Sequence, residues 1–358
     1  MKPIERLTLL CALIAIAEAC SSDKRLLGPG GSKPLAADAA AEDSPAYGPW
    51  GTPVNLGPVV NSSYNENHPA ISKDGLSLYI TSSPLPSPPG SRPGGRGGAD
   101  MWVSQRASID APWGAPVDLG PNINSAGNDG APSLSTDGHR LYFHSMGRGG
   151  CGAADLFVSR RQDKRDDFGW EPAENLGCVV NSPFADNGPT IFEDDATGLT
   201  TLYFNSPRPG GLGDVDIYAS TLQADGTFGP GVLVRELSSP SRDTRVAIRR
   251  DGLEIFLSTD RPGGVGREDI WVATRATTLD PWSPPVPLGP VVNSPYVNSG
   301  PALSFDGTEL YFYSNRPGGF GGNDLYVTTR ARLRGRDTAE DAGDETHQRS
   351  DGKKKEKE

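Results

Sequence analysis

The sequence contains few of the residues that enzymes use for covalent or metal chemistry. Its 358 residues include four histidines and four cysteines, and they form no Gly-x-Ser-x-Gly, His-Glu-x-x-His or paired Cys-His arrangement. Basic residues are also outnumbered, because 34 lysines and arginines face 45 aspartates and glutamates, for a net charge of −11. Nucleic acids and anionic membrane surfaces favour basic patches, so this balance argues against both as partners.

The sequence also lacks an apolar run long enough to span a bilayer. A shorter apolar run lies near its start. It covers residues 7–17, follows Lys2 and Arg6, and ends at the segment Ala17-Glu-Ala-Cys20, which has the form of a signal peptide with a bacterial lipobox. We therefore predict a signal peptide over residues 1–20, lipidation at Cys20, and an exported protein held in the periplasm or at the outer membrane by its lipid anchor. Secretion without an anchor and an uncleaved cytosolic segment are the alternatives.

Two further segments have compositions that do not build a hydrophobic core. Residues 21–46 are mostly small or polar, which predicts a flexible linker. Residues 331–358 carry many charges of both signs, which predicts a disordered tail. The folded domain is therefore expected between residues 47 and 330.

This central segment repeats one pattern five times. Each copy has a short alternating run, a turn that is Asp-Gly in four copies, a run such as Leu-Tyr-Phe, a glycine-rich loop, and a last run opened by an aspartate. These aspartates are separated by 55, 61, 53 and 55 residues, and they are Asp100, Asp155, Asp216, Asp269 and Asp324. Repeats of this length with several short strands are typical of propellers.

Each copy is read as four strands, the last of which begins near an aromatic residue: Trp113, Trp170, Phe228 or Trp282. The segment near Trp50 is such a fourth strand without the three before it, and the fifth copy ends after its third strand. We therefore predict an all-β fold, a five-bladed β-propeller of four-stranded antiparallel blades, closed by the N-terminal strand near Trp50.

The repeats resemble the WD40-like PD40 repeats found in the propeller of TolB. The matching residues are Pro301-Ala-Leu-Ser-Phe-Asp-Gly307, followed by Leu310-Tyr-Phe-Tyr-Ser-Asn-Arg-Pro-Gly-Gly319 and Asp324-Leu-Tyr326. The resemblance covers roughly residues 50–330. It implies the propeller fold and a bacterial envelope protein, and it implies no activity.

Two sets of polar residues are predicted to meet on one face, where the loops between blades and the glycine-rich loops emerge. The first set holds four carboxylates and an amide: Glu66, Asp129, Asp186, Asp243 and Asn298. The second set holds four arginines: Arg92, Arg208, Arg261 and Arg316. One interpretation is a structural ion pair in every blade. The other is a ligand-binding ring at the channel mouth, together with His68, for a small polar molecule or, less favoured, Ca²⁺; no metal or cofactor is assigned.

Two blades depart from this pairing scheme. In blade two the arginine slot is occupied by Gly147, with Arg148 displaced by one position, and in blade five Asn298 replaces the carboxylate expected opposite Arg316. These positions are expected to leave spare hydrogen-bonding groups for a ligand. Cys151 and Cys178 fall at strand ends of blade two and are predicted to form a disulfide, with two separate small hydrophobic residues as the alternative.

These observations lead to a functional expectation that ranks two classes. The first is a non-catalytic ligand-binding or protein-binding scaffold at the bacterial envelope, monomeric, with an envelope protein or a glycan as partner. The alternative is a glycoside-active enzyme that uses carboxylates at the channel mouth. The absence of a catalytic motif favours the first class over the second, and the question of hydrolase activity is left open.

Overall fold

The computed structural model describes residues 46–86 and 89–333, which form 22 β-strands. The strands are β1 (Val54–Asn55), β2 (Asn65–Ile71), β3 (Ser77–Ser83), β4 (Leu85–Pro86), β5 (Pro89–Gly90), β6 (Asp100–Gln105), β7 (Val117–Asp118), β8 (Asn128–Leu134), β9 (Arg140–Met146), β10 (Asp155–Arg160), β11 (Glu174–Asn175), β12 (Asn187–Glu193), β13 (Thr200–Ser206), β14 (Asp216–Thr221), β15 (Val232–Leu233), β16 (Asp243–Ile248), β17 (Glu254–Thr259), β18 (Asp269–Thr274), β19 (Val286–Pro287), β20 (Asn298–Leu303), β21 (Glu309–Ser314) and β22 (Asp324–Thr329).

The strands form five antiparallel sheets of four strands, which are the blades of a β-propeller. Their orders from the innermost strand outward are β2-β3-β6-β7, β8-β9-β10-β11, β12-β13-β14-β15, β16-β17-β18-β19 and β20-β21-β22-β1. The short β4 and β5 pair only with each other. The predicted five-bladed fold is confirmed. Among the described residues there is no helix of the length and apolar character needed to cross a membrane.

The ring is closed by the first strand, as predicted. In β1, Val54 lies opposite Val327 and Asn55 lies opposite Tyr326 of β22. Trp50 precedes this strand and packs edge-on against Phe256, with 6.0 Å between ring centroids. The N-terminal segment therefore contacts blade four as well as blade five.

The outer strands differ from the prediction. Each contains two residues, and the aromatic residues predicted to begin them lie before the strand. Trp170 and Trp282 illustrate the reason, since each is at most 6% exposed and packs into an apolar cluster between blades. Burial of a large ring, and not strand pairing, explains these aromatic positions.

The innermost strands begin earlier than predicted, because each contains a β-bulge. The register shifts at one point in every inner pair, and the residue there has a positive φ. These five residues are His68, Ala131, Gly188, Arg245 and Gly300. A bulge interrupts the alternation of side chains, so sequence periodicity identified only the part of each strand after it.

The apolar core lies between neighbouring blades. In one cluster Tyr79 and Met101 of blade one pack with Leu141 and Phe143 of blade two, and all four are fully buried. Equivalent clusters fill the other blade interfaces. Each blade is thus buried on both faces, which explains why its stability depends on the completed ring.

An arginine just after the third strand links the hairpin turn to the outer aromatic residue in four blades. The Nε atom donates to the carbonyl of the turn glycine at 2.6–2.8 Å, and the guanidinium lies 4.1–4.3 Å from a tryptophan ring. These arginines are Arg106, Arg161, Arg275 and Arg330. Blade three has Leu222 at this position and lacks the Asp-Gly turn.

The predicted signal peptide with Cys20, nearly all of the predicted linker and the tail beyond residue 333 lie outside the described residues.

Arg330→Ala is expected to lower the free energy of unfolding by about 3 kcal/mol, because its buried guanidinium ties several parts of the ring together. It stacks on Trp50 and pairs with Glu254 of blade four at 2.6 Å. Urea denaturation measures this change. Arg160→Ala, which removes an exposed pair with Glu174, is the control and should cost less than about 1 kcal/mol. Equal effects of the two changes would show that Arg330 does not stabilise the closure.

Candidate functional site

On the face where the loops between blades emerge, the carboxylates predicted to bind a ligand form buried ion pairs. Their side chains are fully buried, with 0% exposure, and each pairs with an arginine of the same blade. The pairs are Glu66 with Arg92 at 3.5 Å, Asp129 with Arg148 at 3.1 Å, Asp186 with Arg208 at 2.5 Å and Asp243 with Arg261 at 2.5 Å. This geometry supports the structural interpretation, and the ligand-binding role of these residues stays a prediction.

The expected gaps in blades two and five are filled. Arg148 reaches Asp129, so the expectation that Gly147 leaves this carboxylate unpaired is wrong. In blade five the Nη2 atom of Arg316 donates to the side-chain oxygen of Asn298 at 2.6 Å. The amide nitrogen of Asn298 in turn donates to Asp269 at 3.1 Å. At each position the arginine therefore already has a side-chain partner, and the ligand-binding role of these residues stays a prediction.

Burial changes the proton affinity of the carboxylate in blade one. Removal from water raises the pKa of Glu66, and hydrogen bonds from Ser62 together with the charge of Arg92 oppose this shift. The carboxyl is fully buried, so it has no contact with solvent through which a substrate proton would pass. We therefore do not assign it a catalytic role.

The aspartates that open the third strands hold the glycine-rich loops. Asp324 accepts from the backbone amides of Phe320 at 2.7 Å and Gly321 at 3.0 Å. Equivalent bonds occur at Asp100, Asp155, Asp216 and Asp269. These loops are thus shaped by their own aspartate, in agreement with the structural interpretation of the repeat.

Near the axis, buried groups from several blades meet. Arg245 extends from blade four and pairs with no carboxylate among the described residues. It donates instead to the carbonyls of Ala131 at 2.9 Å and Pro132 at 2.6 Å in blade two. Burial lowers the pKa of Arg245 to about 10. His68 packs edge-on against Tyr313, with 5.4 Å between ring centroids, and burial lowers its pKa well below the usual range. The ligand-binding role predicted for His68 stays a prediction.

The opposite face, formed by the hairpins between the first and second strands, breaks the repeat. The residue before each hairpin aspartate has a different side chain in every blade, and the five are Lys73, Thr136, Glu193, Arg250 and Phe305. They surround an axial cavity of about 150 Å³, whose wall also includes Arg245. This asymmetry was visible in the sequence, and the sequence analysis missed it because it followed only the residues that recur.

The hairpin of blade three departs furthest from the other four. Ile191 pairs with Leu202, 11 residues later, whereas the equivalent pair in blade one, Ile71 and Leu78, is seven residues apart; blades two, four and five match blade one. The longer loop carries three consecutive acids, Glu193, Asp194 and Asp195.

This longer loop separates the axial cavity from a lateral cleft of about 540 Å³. Glu193 lines the axial cavity, Asp195 lines the lateral cleft, and both Arg250 and Phe305 line the two spaces. Arg250 donates to the backbone carbonyl of Glu193 and forms an ion pair with Asp195. The two cavities therefore meet at a carboxylate pair from one loop, held by one arginine.

The two acids differ in their surroundings. One carboxylate oxygen of Glu193 accepts from the backbone amide of Thr136 at 2.7 Å, and its other oxygen has no hydrogen-bond partner among the described residues. The Asp195 side chain is 80% exposed. Asp194, in contrast, is buried and bonded to Ala196 and Thr197, and these hydrogen bonds hold its pKa below the usual value despite burial. Among the three acids of this loop, Glu193 and Asp195 are thus the ones open to a ligand.

In blade two, Cys151 and Cys178 are joined by a disulfide, with their Cα atoms 5.4 Å apart. The bond ties the glycine-rich loop to the segment after the outer strand, on the loop face. It lies on the face opposite the two cavities, and its part in the molecule is structural.

Comparison with known proteins places the fold. No family model matches the sequence, and the search of curated proteins found no match. A thermostable family-43 glycoside hydrolase matches 79% of this chain and 94% of its own, with a TM-score of 0.52 and 15% identity. An α-L-arabinofuranosidase of Podospora anserina, solved with cellotriose, matches 79% and 97%, with a TM-score of 0.51 and 14% identity. An α-L-arabinofuranosidase of Lactobacillus brevis matches 79% of this chain and 94% of its own, with a TM-score of 0.51 and 16% identity.

The comparison corrects the functional expectation. The solved propellers that this chain resembles are glycoside hydrolases, the class that the sequence analysis placed second, so the non-catalytic scaffold interpretation is withdrawn. At 14–16% identity the likeness establishes a shared fold. The resemblance to PD40 repeats stays a prediction.

Arg208→Ala is expected to lower the free energy of unfolding by about 3 kcal/mol, because it leaves the fully buried Asp186 without its counter-charge. Thermal denaturation followed by circular dichroism measures the loss. Arg96→Ala removes a more exposed pair with Asp118 and should change stability by less than about 1 kcal/mol. An unchanged melting temperature for Arg208→Ala would contradict the structural interpretation of the ring.

We expect the protein to lose stability in mild acid, because His144 is protonated more readily in the unfolded chain than in the folded protein. Burial lowers its pKa from 6.5 to about 4, so the unfolded chain binds a proton more readily between these values. The stability is therefore complete above pH 6.5 and falls as the pH decreases toward 4. His144→Gln should reduce the loss between pH 7 and pH 5 by about 2 kcal/mol. Denaturant titrations at the two pH values test this, with His139→Gln in a surface turn as the control; identical losses in all three proteins would refute it.

Proposed function

We propose that this protein is a glycoside hydrolase whose active site lies on the hairpin face of the propeller. The likeness of its fold to that of arabinofuranosidases and a family-43 glycoside hydrolase supports the reaction class. The observation that carries the proposal is the long hairpin of blade three. It places Glu193 and Asp195 where the axial cavity and the lateral cleft meet.

The two carboxylates fit the requirements of glycoside hydrolysis, which needs one group to protonate the leaving oxygen and a second to act as base or nucleophile. Asp195 forms an ion pair with Arg250, which orients its carboxylate for the role of base or nucleophile. Glu193 is half-buried and has one free carboxylate oxygen, which suits a proton donor. Arg250 positions both groups, because it contacts the backbone of one and the side chain of the other.

Aromatic side chains on the same face supply apolar surface for a sugar ring. Phe305 lines both cavities and is 37% exposed. Tyr47 lines the lateral cleft, and its hydroxyl donates to the backbone carbonyl of Asp306 at 2.7 Å. Arg330 stacks 4.0 Å from the Tyr47 ring, which fixes its orientation. A cleft with apolar walls and a few placed polar groups is the usual form of a small-ligand site.

We also propose export through the N-terminal segment and anchoring by a lipid on Cys20. Such a location gives the enzyme access to polysaccharides outside the cytoplasm. The disulfide between Cys151 and Cys178 supports export, because disulfides persist in oxidising compartments.

Glu193→Gln and Asp195→Asn are each expected to lower kcat/KM at least about 100-fold, because each removes a group that transfers a proton or attacks the sugar. The wild-type protein is first screened against aryl α-L-arabinofuranosides, aryl β-xylosides and a panel of plant and bacterial polysaccharides, with reducing ends as the readout. The most active substrate is then used for the variants.

Glu236→Gln and Asp110→Asn change exposed acids elsewhere and serve as matched controls that should keep full activity. Circular dichroism verifies that every variant is folded. The proposal fails if the folded wild-type protein releases no sugar from any substrate, or if both Glu193→Gln and Asp195→Asn remain as active as the controls.

A further inference from the structure

The axial cavity differs from the rest of this acidic protein in the sign of its charge. The chain carries a net charge of −11, whereas the walls of the cavity include the cations Lys73, Arg245 and Arg250 and the carboxylate of Glu193. Arg250 is paired with Asp195 of the neighbouring cleft, and the two remaining cations still outnumber Glu193. A cluster of cations around an enclosed space attracts anions more strongly there than at an open surface, because less water screens the charges.

One of these cations is buried without a counter-charge. Arg245 is 4% exposed, and no carboxylate lies within ion-pair distance among the described residues. Its terminal nitrogens donate to backbone carbonyls, while its buried Nε atom has no hydrogen-bond partner. Backbone carbonyls satisfy hydrogen bonds but do not neutralise the charge, so the guanidinium adds positive potential to the cavity.

A second cation stands at the mouth and is free to bind. Lys73 is exposed, and its ammonium lies 4.4 Å from the centre of the Phe305 ring. It forms no ion pair with any described residue. Arg250 approaches the same ring from another blade, at 5.8 Å. The mouth therefore combines an apolar ring with a positive charge on either side of it.

We propose that the axial cavity binds the carboxylate of a uronic acid, so that the substrate is an acidic polysaccharide. The sugar ring would pack on Phe305, while its carboxylate lies between Lys73 and Arg250 above the buried charge of Arg245. A cavity of about 150 Å³ has room for several water molecules and hence for a carboxylate group. This inference rests on the proposed function for the choice of a sugar as ligand.

Calorimetric titration of the full chain with trisaccharides of galacturonate or of mannuronate tests the proposal. Each is compared with its methyl ester, which keeps the sugar and removes the charge. At least one free acid is expected to bind about tenfold more tightly than its ester, a difference of about 1.4 kcal/mol. Binding of the acid should also weaken as the salt concentration rises, because ions screen the attraction.

Lys73→Gln is expected to weaken binding of the acid about tenfold and to leave binding of the ester unchanged. Lys164→Gln is the matched control, because Lys164 is an exposed lysine beside the hairpin glycine of blade two and does not line the cavity. The inference is overturned if neither acid binds, if acid and ester bind equally, or if the two lysine variants behave alike.

These outcomes separate the inference from the proposed function. Hydrolysis of neutral arabinosides or xylosides by a protein that binds neither uronate would overturn the inference and leave the hydrolase assignment standing. Binding of a uronate that depends on Lys73, without hydrolysis of any glycoside, would support the anionic site and overturn the assignment of Glu193 and Asp195.

Discussion

The pairing of Val54 and Asn55 with the last long strand is the contact on which the rest of the structure depends. Every blade buries apolar side chains against both neighbours, so an open ring would expose the faces of two blades to water. Arg330 reinforces the closure through Trp50, Glu254 and the turn glycine Gly307. Because closure brings the five hairpins around one axis, the axial cavity exists only in the closed ring.

The two ends of the channel differ in how their charged side chains are paired. On the loop face, four blades pair an arginine with a carboxylate that is buried as deeply as the core, and in blade five Arg316 donates to the amide oxygen of Asn298 instead. Breaking such a pair costs more than it contributes when intact, so it acts to specify the loop conformation. On the hairpin face the residues before the hairpin aspartates differ in every blade, and Lys73 and Glu193 line the axial cavity without an ion-pair partner among the described residues. A repeat protein gains a specific site where its symmetry is broken.

Blade three shows how the symmetry of the hairpin face is broken. The other blades hold a short Asp-Gly turn against an arginine and a tryptophan. Blade three has Leu222 in place of the arginine and a hairpin four residues longer, which keeps a glycine of positive φ, Gly198, at its end. The released loop carries Glu193 and Asp195 toward Arg250 of blade four. Loss of one structural interaction is thus coupled to the gain of a charged site.

The repeat spacing and the alternating strands were enough to predict the number of blades and the closure near Trp50, because these features depend on local patterns and on counting strands. The bulges and the two-residue outer strands were not predicted, because they follow from packing between blades. In the candidate site, too, some features follow from local sequence patterns and others from packing between blades. The recurrence of an arginine and a carboxylate in four of the five copies could be read from the sequence alone. The tertiary structure was needed to show that these groups bury one another and that Glu193, Arg250 and Phe305, from three different blades, share one cavity. Residues this far apart in the chain meet only when the ring closes, and no local pattern records which of their charges remain unpaired.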